Sequence, residues 1–118
     1  MATGSGRIGA RGERFVADGY RARGYRVIAT NWRCRLGELD LVAERRGVLV
    51  FCEVKSRGGA AFGGGYEAVT WRKRTKLRSL AEAFLQATGS RPHAIRFDVA
   101  SVAFVRSRPV VELFEDAF

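Results

Sequence analysis

Hydrophobic and polar positions follow two different periods along this chain, and the changes of period mark its elements. Residues 7–23 place Glu13, Ala17 and Tyr20 on one stripe at helical spacing, and Gly24 follows where a helix favours glycine just past its end. Tyr25 to Trp32 reads as a first strand. The run Gly47-Val48-Leu49-Val50-Phe51-Cys52 is apolar at both parities, as in a strand covered on both faces. Arg46-Gly47 supplies a two-residue turn for a hairpin spanning residues 38–55. A second helix is marked from about Tyr66 to Ala87 by Val69, Lys73, Leu77, Leu80 and Phe84, and is closed by Gly89 and Pro92. His93 to Val105 reads as a fourth strand and Val110 to Phe114 as a fifth at an edge. This order implies an α/β fold whose mixed central β-sheet joins a three-strand antiparallel meander to a crossover strand, flanked by helices. No repeat or second domain interrupts the 118 residues, so one domain is expected, with residues 1–6 frayed.

Two charges break the pattern at the end of the most apolar strand. Glu53 and Lys55 lie two residues apart and so share a strand face, and such charges are seldom buried without partners. Counting back across the turn sets Arg45 opposite Val48, Asp40 opposite Glu53 and Glu38 opposite Lys55. Opposed side chains have Cβ atoms about 4.5–5.5 Å apart, and two carboxylates that close repel unless a cation or a shared proton relieves them. Asp40 and Glu53 therefore read as a metal-binding pair with a lysine beside it. A slip of one residue instead pairs Asp40 with Cys52 and scatters the group. The plainer alternative is an ion pair of Lys55 with Glu53 or with Glu38, contributing under ~1 kcal/mol if exposed, and for an arbitrary Glu-x-Lys it is the favoured reading.

Other charged and aromatic residues carry paired readings too. Lys73 is the one charge on the apolar face of the second helix. Either its stem covers the core edge or its ammonium is aimed at the site or at a substrate phosphate, and spacing leaves both open. Asp98, on the fourth strand, reads as a balance for arginines rather than a metal ligand. Trp32 and Trp71 suit base stacking, although packing in a core or interface is the commoner fate of tryptophan.

Composition narrows the partner. The net charge of +9 comes almost wholly from arginine, which favours bidentate contact with phosphate. Basic residues cluster over Arg7–Arg14, Arg21–Arg35 and Trp71–Arg78, so a polyanion is favoured, nucleic acid being the commonest. Arg33, Arg35, Arg57, Arg72, Lys73 and Lys76 are the candidates for those phosphate contacts. Solvated charge faces and arginine-rich coding bias give the same composition without function. Cys34 and Cys52 make no disulfide framework, and His93 alone leaves a structural zinc without ligands. The first residues lack the apolar centre of a secretion signal, and no run reaches membrane-spanning length; cytoplasmic residence and no membrane association are expected. The glycine-rich stretch Arg57–Gly65 lacks the Lys-Ser or Lys-Thr pair of a nucleotide-binding loop and reads better as a flap over a substrate.

Taken together, Glu13, Asp40 and Glu53-x-Lys55 resemble the PD-(D/E)xK nuclease superfamily, which has the restriction-endonuclease-like fold. The match is most similar to the YraN family of small bacterial proteins, itself similar to archaeal-type Holliday-junction resolvases. The resemblance runs through Gly12-Glu13, Gly24-Tyr25, Asn31, Gly37-Glu38-Leu39-Asp40-Leu41, Phe51 to Arg57, Lys73 and Arg96-Phe97-Asp98-Val99. Leu39 stands where the superfamily's name has proline, as in many members. The resemblance implies that Asp40 and Glu53, with the Val54 carbonyl, hold Mg²⁺ or Mn²⁺, which favour hard oxygen ligands. It implies that Lys55 orients or deprotonates the attacking water, or stabilises charge on the phosphate. Glu13 completes the metal shell through water, unless it simply pairs with Arg14, Arg21 or Arg33. Lys73 contacts phosphate or supports the site. The implied activity is endonucleolytic cleavage of DNA, in preference to RNA, with branched or Holliday-junction substrates. The competing function is a nuclease-fold binder that no longer cuts and acts as an adaptor in repair or RNA metabolism; a structural interaction module is the third class. Symmetrical cutting of two strands fits a homodimer, for which the chain offers no clear interface.

Overall fold

The computed structural model describes residues 6–58 and 71–118. These form α1 (Gly6–Ala22), β1 (Arg26–Cys34), β2 (Gly37–Arg45), β3 (Val48–Gly58), α2 (Trp71–Thr88), β4 (Ala94–Val105) and β5 (Arg108–Phe114). The five strands join one sheet in the order β1-β2-β3-β4-β5. Only β3 and β4 run parallel, and α2 lies in the crossover that parallel neighbours require. This mixed α/β architecture is the expected one and is consistent with a restriction-endonuclease-like fold. Most of the glycine-rich flap, and residues 66–70 of the expected second helix, lie outside the described residues.

Each helix covers one face of the sheet. Val16, Ala17 and Tyr20 of α1 pack with Leu41, Ala43, Val50, Cys52, Ala100 and Val102. Leu77, Leu80, Ala81 and Phe84 of α2 pack with Leu39, Val42, Leu49, Phe51 and Phe97. Strand β3 thus sends even-numbered side chains to α1 and odd-numbered ones to α2, which is why its run is apolar at both parities. Glu53 and Lys55 continue the face that looks toward α2. Trp32 belongs to the core, edge-to-face on Phe84 at 5.2 Å, whereas Trp71 is 79% exposed.

Two close features set the site end of the sheet. The β2–β3 turn has positive φ at Arg46 (52°) and Gly47 (81°), the geometry that suits a two-residue hairpin. Farther along, α1 lies directly on β3: a Cβ added at Gly12 would come 2.1 Å from Ser56 Oγ and 3.2 Å from Ser56 Cβ. The absent side chain at Gly12 lets α1 sit low enough to carry Glu13 toward the end of β3.

The β1–β2 ladder contains a feature that strand periodicity does not foretell. Thr30 pairs with Leu41 and Trp32 with Leu39, while the intervening Asn31 and Asp40 form no ladder pair. Asn31 adopts φ 52°, a left-handed conformation that asparagine tolerates better than most residues. The alternation reverses there. Leu41 faces α1, yet Leu39, two residues away, faces α2.

Candidate functional site

The hairpin follows the expected count from Arg45↔Val48 as far as Leu41↔Cys52, and there the β2–β3 ladder ends. Asp40↔Glu53 and Glu38↔Lys55 are therefore not ladder pairs, which corrects the simple continuation of the count. The physical reason is the reversal at Asn31 and Asp40, which turns β2 away from β3. Asp40 bridges the gap with its side chain instead, its Oδ2 accepting the Val54 N–H at 2.9 Å. Glu38 turns to Arg33 across β1, at 3.5 Å, rather than to Lys55.

Glu53 is the centre of the cluster. Its Oε2 lies 2.7 Å from Lys73 Nζ and 3.8 Å from Lys55 Nζ, with only 11% of the side chain exposed. Lys73 thus does reach from α2 to the strand end. Glu38, Asp40, Glu53, Lys73 and Lys76, floored by Leu77 and Leu80, line a cleft of about 180 Å³. One wall, from β2 and β3, is acidic; the other, from α2, is basic. Glu13 stands at the α1 side, its Oε1 accepting the Asn31 side-chain N–H at 2.8 Å.

The carboxylates sense one another. Burial first, then the Glu53 charge, pushes Asp40 up to about 7, against the opposing pull of the Val54 N–H. Burial also raises Glu13, partly offset by Asn31, with Glu38 and Glu53 adding to the rise. Burial and the neighbouring Lys73 lower Lys55. For Lys73 burial acts downward but is outweighed by the hydrogen bond to Glu53, so the net shift is upward.

The Asp40 shift has a consequence for stability. A carboxyl whose folded pKa lies above its ordinary 3.8 binds its proton more tightly in the folded chain. Stability is therefore greatest below the unfolded value and is lost as pH rises through about 7. Asp40→Asn keeps an acceptor for Val54 and removes the charge. It should stabilise the protein by roughly 1–3 kcal/mol at pH 8 and by nothing near pH 4. Urea denaturation at both pH values measures this; a gain of equal size at both would locate the effect elsewhere.

Asn31 is the site residue that reading the sequence for charge overlooks. It accompanies the strand reversal and supports Glu13, and apart from its place in the resemblance its signal was a residue tolerant of left-handed backbone inside an alternating strand. Asn31→Gly, which keeps the conformation, should leave stability nearly unchanged. Asn31→Ala should lower it by about 1–2 kcal/mol relative to glycine, read as a shift in denaturation midpoint. Equal stability of the two variants would rule out a conformational role.

The other expected residues divide. Lys76 is exposed on the cleft wall, and Arg72 is exposed at the start of α2. Arg33 and Arg35 are exposed at the end of β1 and in the turn after it, Arg33 being held by Glu38. Arg57 belongs to β3. Asp98 is no part of the cluster: it is fully buried and accepts N–H bonds from Arg96 Nε and Nη2, each at 2.9 Å, the balancing role expected of it.

As donors, Asp40 and Glu53 suit a hard divalent cation better than zinc, because among the described residues no thiolate or imidazole lines the cleft. Among the described residues no three Asp, Glu, His or Cys side chains converge as a metal cluster. Two carboxylates with the remainder from water, backbone carbonyl and substrate phosphate is an ordinary arrangement for Mg²⁺.

Fold and site together define an α/β protein with a mixed sheet that parts at one end beside a cluster of carboxylates and lysines. The match to known sequences is closer than that description. The model of the uncharacterised protein family UPF0102 matches residues 12–102, and the chain belongs to this family. A UPF0102 protein of Parafrankia sp. is 48% identical over 98 residues, covering 83% of each chain. One of Symbiobacterium thermophilum is 49% identical over 98 residues, again 83% of each. A third, of Nocardia farcinica, is 43% identical over 112 residues, covering 94% of this chain and 88% of the relative. No described helix is long and apolar enough to cross a membrane.

Proposed function

We propose that this chain is a metal-dependent endonuclease of the PD-(D/E)xK type that hydrolyses DNA phosphodiester bonds, with branched DNA such as the Holliday junction as its preferred substrate. The observation that carries the reading is the cleft in which Asp40 and Glu53 face a lysine wall, with Lys55 on the same strand face as Glu53. Asp40, Glu53 and the Val54 carbonyl are the proposed ligands of Mg²⁺ or Mn²⁺, with Glu13 acting through water. Bound there, such an ion neutralises phosphate charge and lowers the pKa of a bound water. Asp40 is oriented for its part by the Val54 N–H. Lys55, its proton loosened by burial and by Lys73, orients the attacking water or takes its proton. Lys73 and Lys76 receive the phosphate oxygens, and Arg33, Arg35, Arg57 and Arg72 extend the track for the polyanion. Cutting both strands fits a homodimer, and cytoplasmic residence fits the substrate.

One observation favours a second reading, a nuclease-fold nucleic-acid binder that does not cut. The Lys73 ammonium already stands against Glu53 at 2.7 Å, supplying positive charge where a cation is needed. Linear duplex and four-way-junction DNA incubated with the purified chain, with and without Mg²⁺ or Mn²⁺, decide between them. Metal-dependent cleavage that Asp40→Asn removes supports the endonuclease. Salt-sensitive binding without cleavage supports the adaptor, and neither activity leaves an interaction module.

A further inference from the structure

The proposed metal ligands are already engaged. Asp40 Oδ2 holds the Val54 N–H, and Glu53 Oε2 is shared by Lys73 at 2.7 Å and Lys55 at 3.8 Å. Glu53 is too enclosed for its charge to be left bare at little cost, being 11% exposed. A divalent cation binding Glu53 therefore competes with these two ammoniums for the same carboxylate. Lys55 is the weaker holder by distance. Lys73 is the stronger one, and it is also built to leave: it is a third exposed, on a flexible four-carbon stem. Lys76, one turn on, lines the same cleft and marks the wall along which a displaced Lys73 still finds an anion.

We infer that Lys73 is an exchangeable counter-ion, holding Glu53 until a divalent cation takes the carboxylate and a phosphodiester anion takes the lysine. The inference rests on the metal-dependent reading above and adds its regulation. Cation and nucleic acid then bind cooperatively, because each releases the partner the other needs, and the coupling is reciprocal. The cation alone binds weakly, since it competes with a preformed ion pair. A strand of DNA alone binds below its full strength, since its best lysine is committed elsewhere. The cleft admits the metal chiefly when a phosphate is present, which limits unproductive metal loading.

The test is the Mn²⁺ affinity of the full chain without nucleic acid, read by electron paramagnetic resonance of free Mn²⁺ at fixed pH and ionic strength. Wild type is compared with Lys73→Met, Lys73→Gln and Lys76→Met. If Lys73 occupies Glu53 in more than nine-tenths of molecules, freeing the carboxylate tightens Mn²⁺ binding about tenfold or more. Lys76→Met removes the same charge from the same cleft without freeing an oxygen, and its effect should stay within about threefold. The glutamine variant keeps the result readable should the methionine variant fold poorly. Equal tightening in the Lys73 and Lys76 variants overturns the inference, because bulk charge alone then suffices. Unchanged or weaker binding in both Lys73 variants also overturns it and makes the ion pair a fixed strut, while Asp40-dependent Mn²⁺ binding by the wild type keeps the metal reading alive. No Mn²⁺ binding by any of the proteins sinks both.

Discussion

Asp40→Asn and Glu53→Gln are both expected to abolish metal-dependent DNA cleavage, yet to move stability in opposite directions. The activity loss follows from the shared task. Each carboxylate is a proposed cation ligand in the cleft, and neither amide holds a divalent ion as the carboxylate does. Removing one preorganised electrostatic partner of a developing charge commonly lowers rate by about 10²–10³-fold, and removing a metal ligand should cost at least that. The stability difference follows from unequal surroundings. Asp40 is a half-buried carboxyl pushed up to about 7 by desolvation and by Glu53, so neutralising it relieves the fold. Glu53 is the counter-ion of two lysines, and its loss leaves Lys55 and Lys73 facing one another. Cleavage of a labelled four-way junction and urea midpoints at pH 8 measure both halves. Equal residual cleavage in the two variants would identify a contaminating nuclease and remove the enzymatic reading. Loss of cleavage accompanied by unfolding in both would deprive the result of its meaning for the site. The predicted gain in Asp40→Asn guards against that outcome.

This conflict between stability and site is also where the sequence was hardest to read. The covered strand β3, the turn at Arg46-Gly47 and the hairpin count as far as Leu41↔Cys52 follow from local rules, because apolar pattern and turn chemistry agree there. Past Cys52 the rules separate. Period-two alternation puts Leu39 and Leu41 on one face, but the alternation of β2 reverses between them at Asp40, where the neighbouring β1 carries the left-handed Asn31. The reversal depends on backbone angles that composition does not encode. Only the presence of asparagine, a residue that accepts them, hinted at it. Asp40 and Glu53 still meet, though through a side chain that spans a parted ladder rather than through strand pairing. The reach of Lys73 was undecidable from spacing for a related reason. A helix stripe states which residues share a face, not how far a lysine at its end extends beyond the core. Gly12 carried a usable signal, since a glycine inside a helix is costly by about 1 kcal/mol relative to alanine. Its contact with Ser56 supplies the reason.

The largest stability loss is expected away from the cleft, at Asp98. Its carboxylate is fully buried on β4 and each oxygen accepts two hydrogen bonds. Oδ1 takes Arg96 Nε at 2.9 Å and the Asp116 N–H at 3.0 Å; Oδ2 takes Arg96 Nη2 at 2.9 Å and the Tyr20 hydroxyl at 2.5 Å. One side chain thereby ties α1, β4 and the segment after β5. Tyr20 is held firmly protonated, by burial first and then by the charge of Asp98 and the hydrogen bond to it, so it serves as a donor at any working pH. Replacing a buried ion-pair partner leaves the other charge uncompensated and typically costs about 3–5 kcal/mol. Asp98→Ala should fall in that range. For 118 residues the total stability is on the order of 6–18 kcal/mol, so the loss is a large share of it. Tyr20→Phe, which removes one of four donors, should cost about 1–3 kcal/mol, and the double variant less than the sum, because the two residues share one network. Denaturant midpoints with unchanged slope report these values. Mn²⁺ affinity separates the network from the cleft: Asp98→Ala, wherever it remains folded, should bind the ion as the wild type does. Weakened binding in the folded variant would mean that the network also positions the metal ligands, and strict additivity of Tyr20→Phe with Asp98→Ala would mean that the hydroxyl and the carboxylate do not act as one unit.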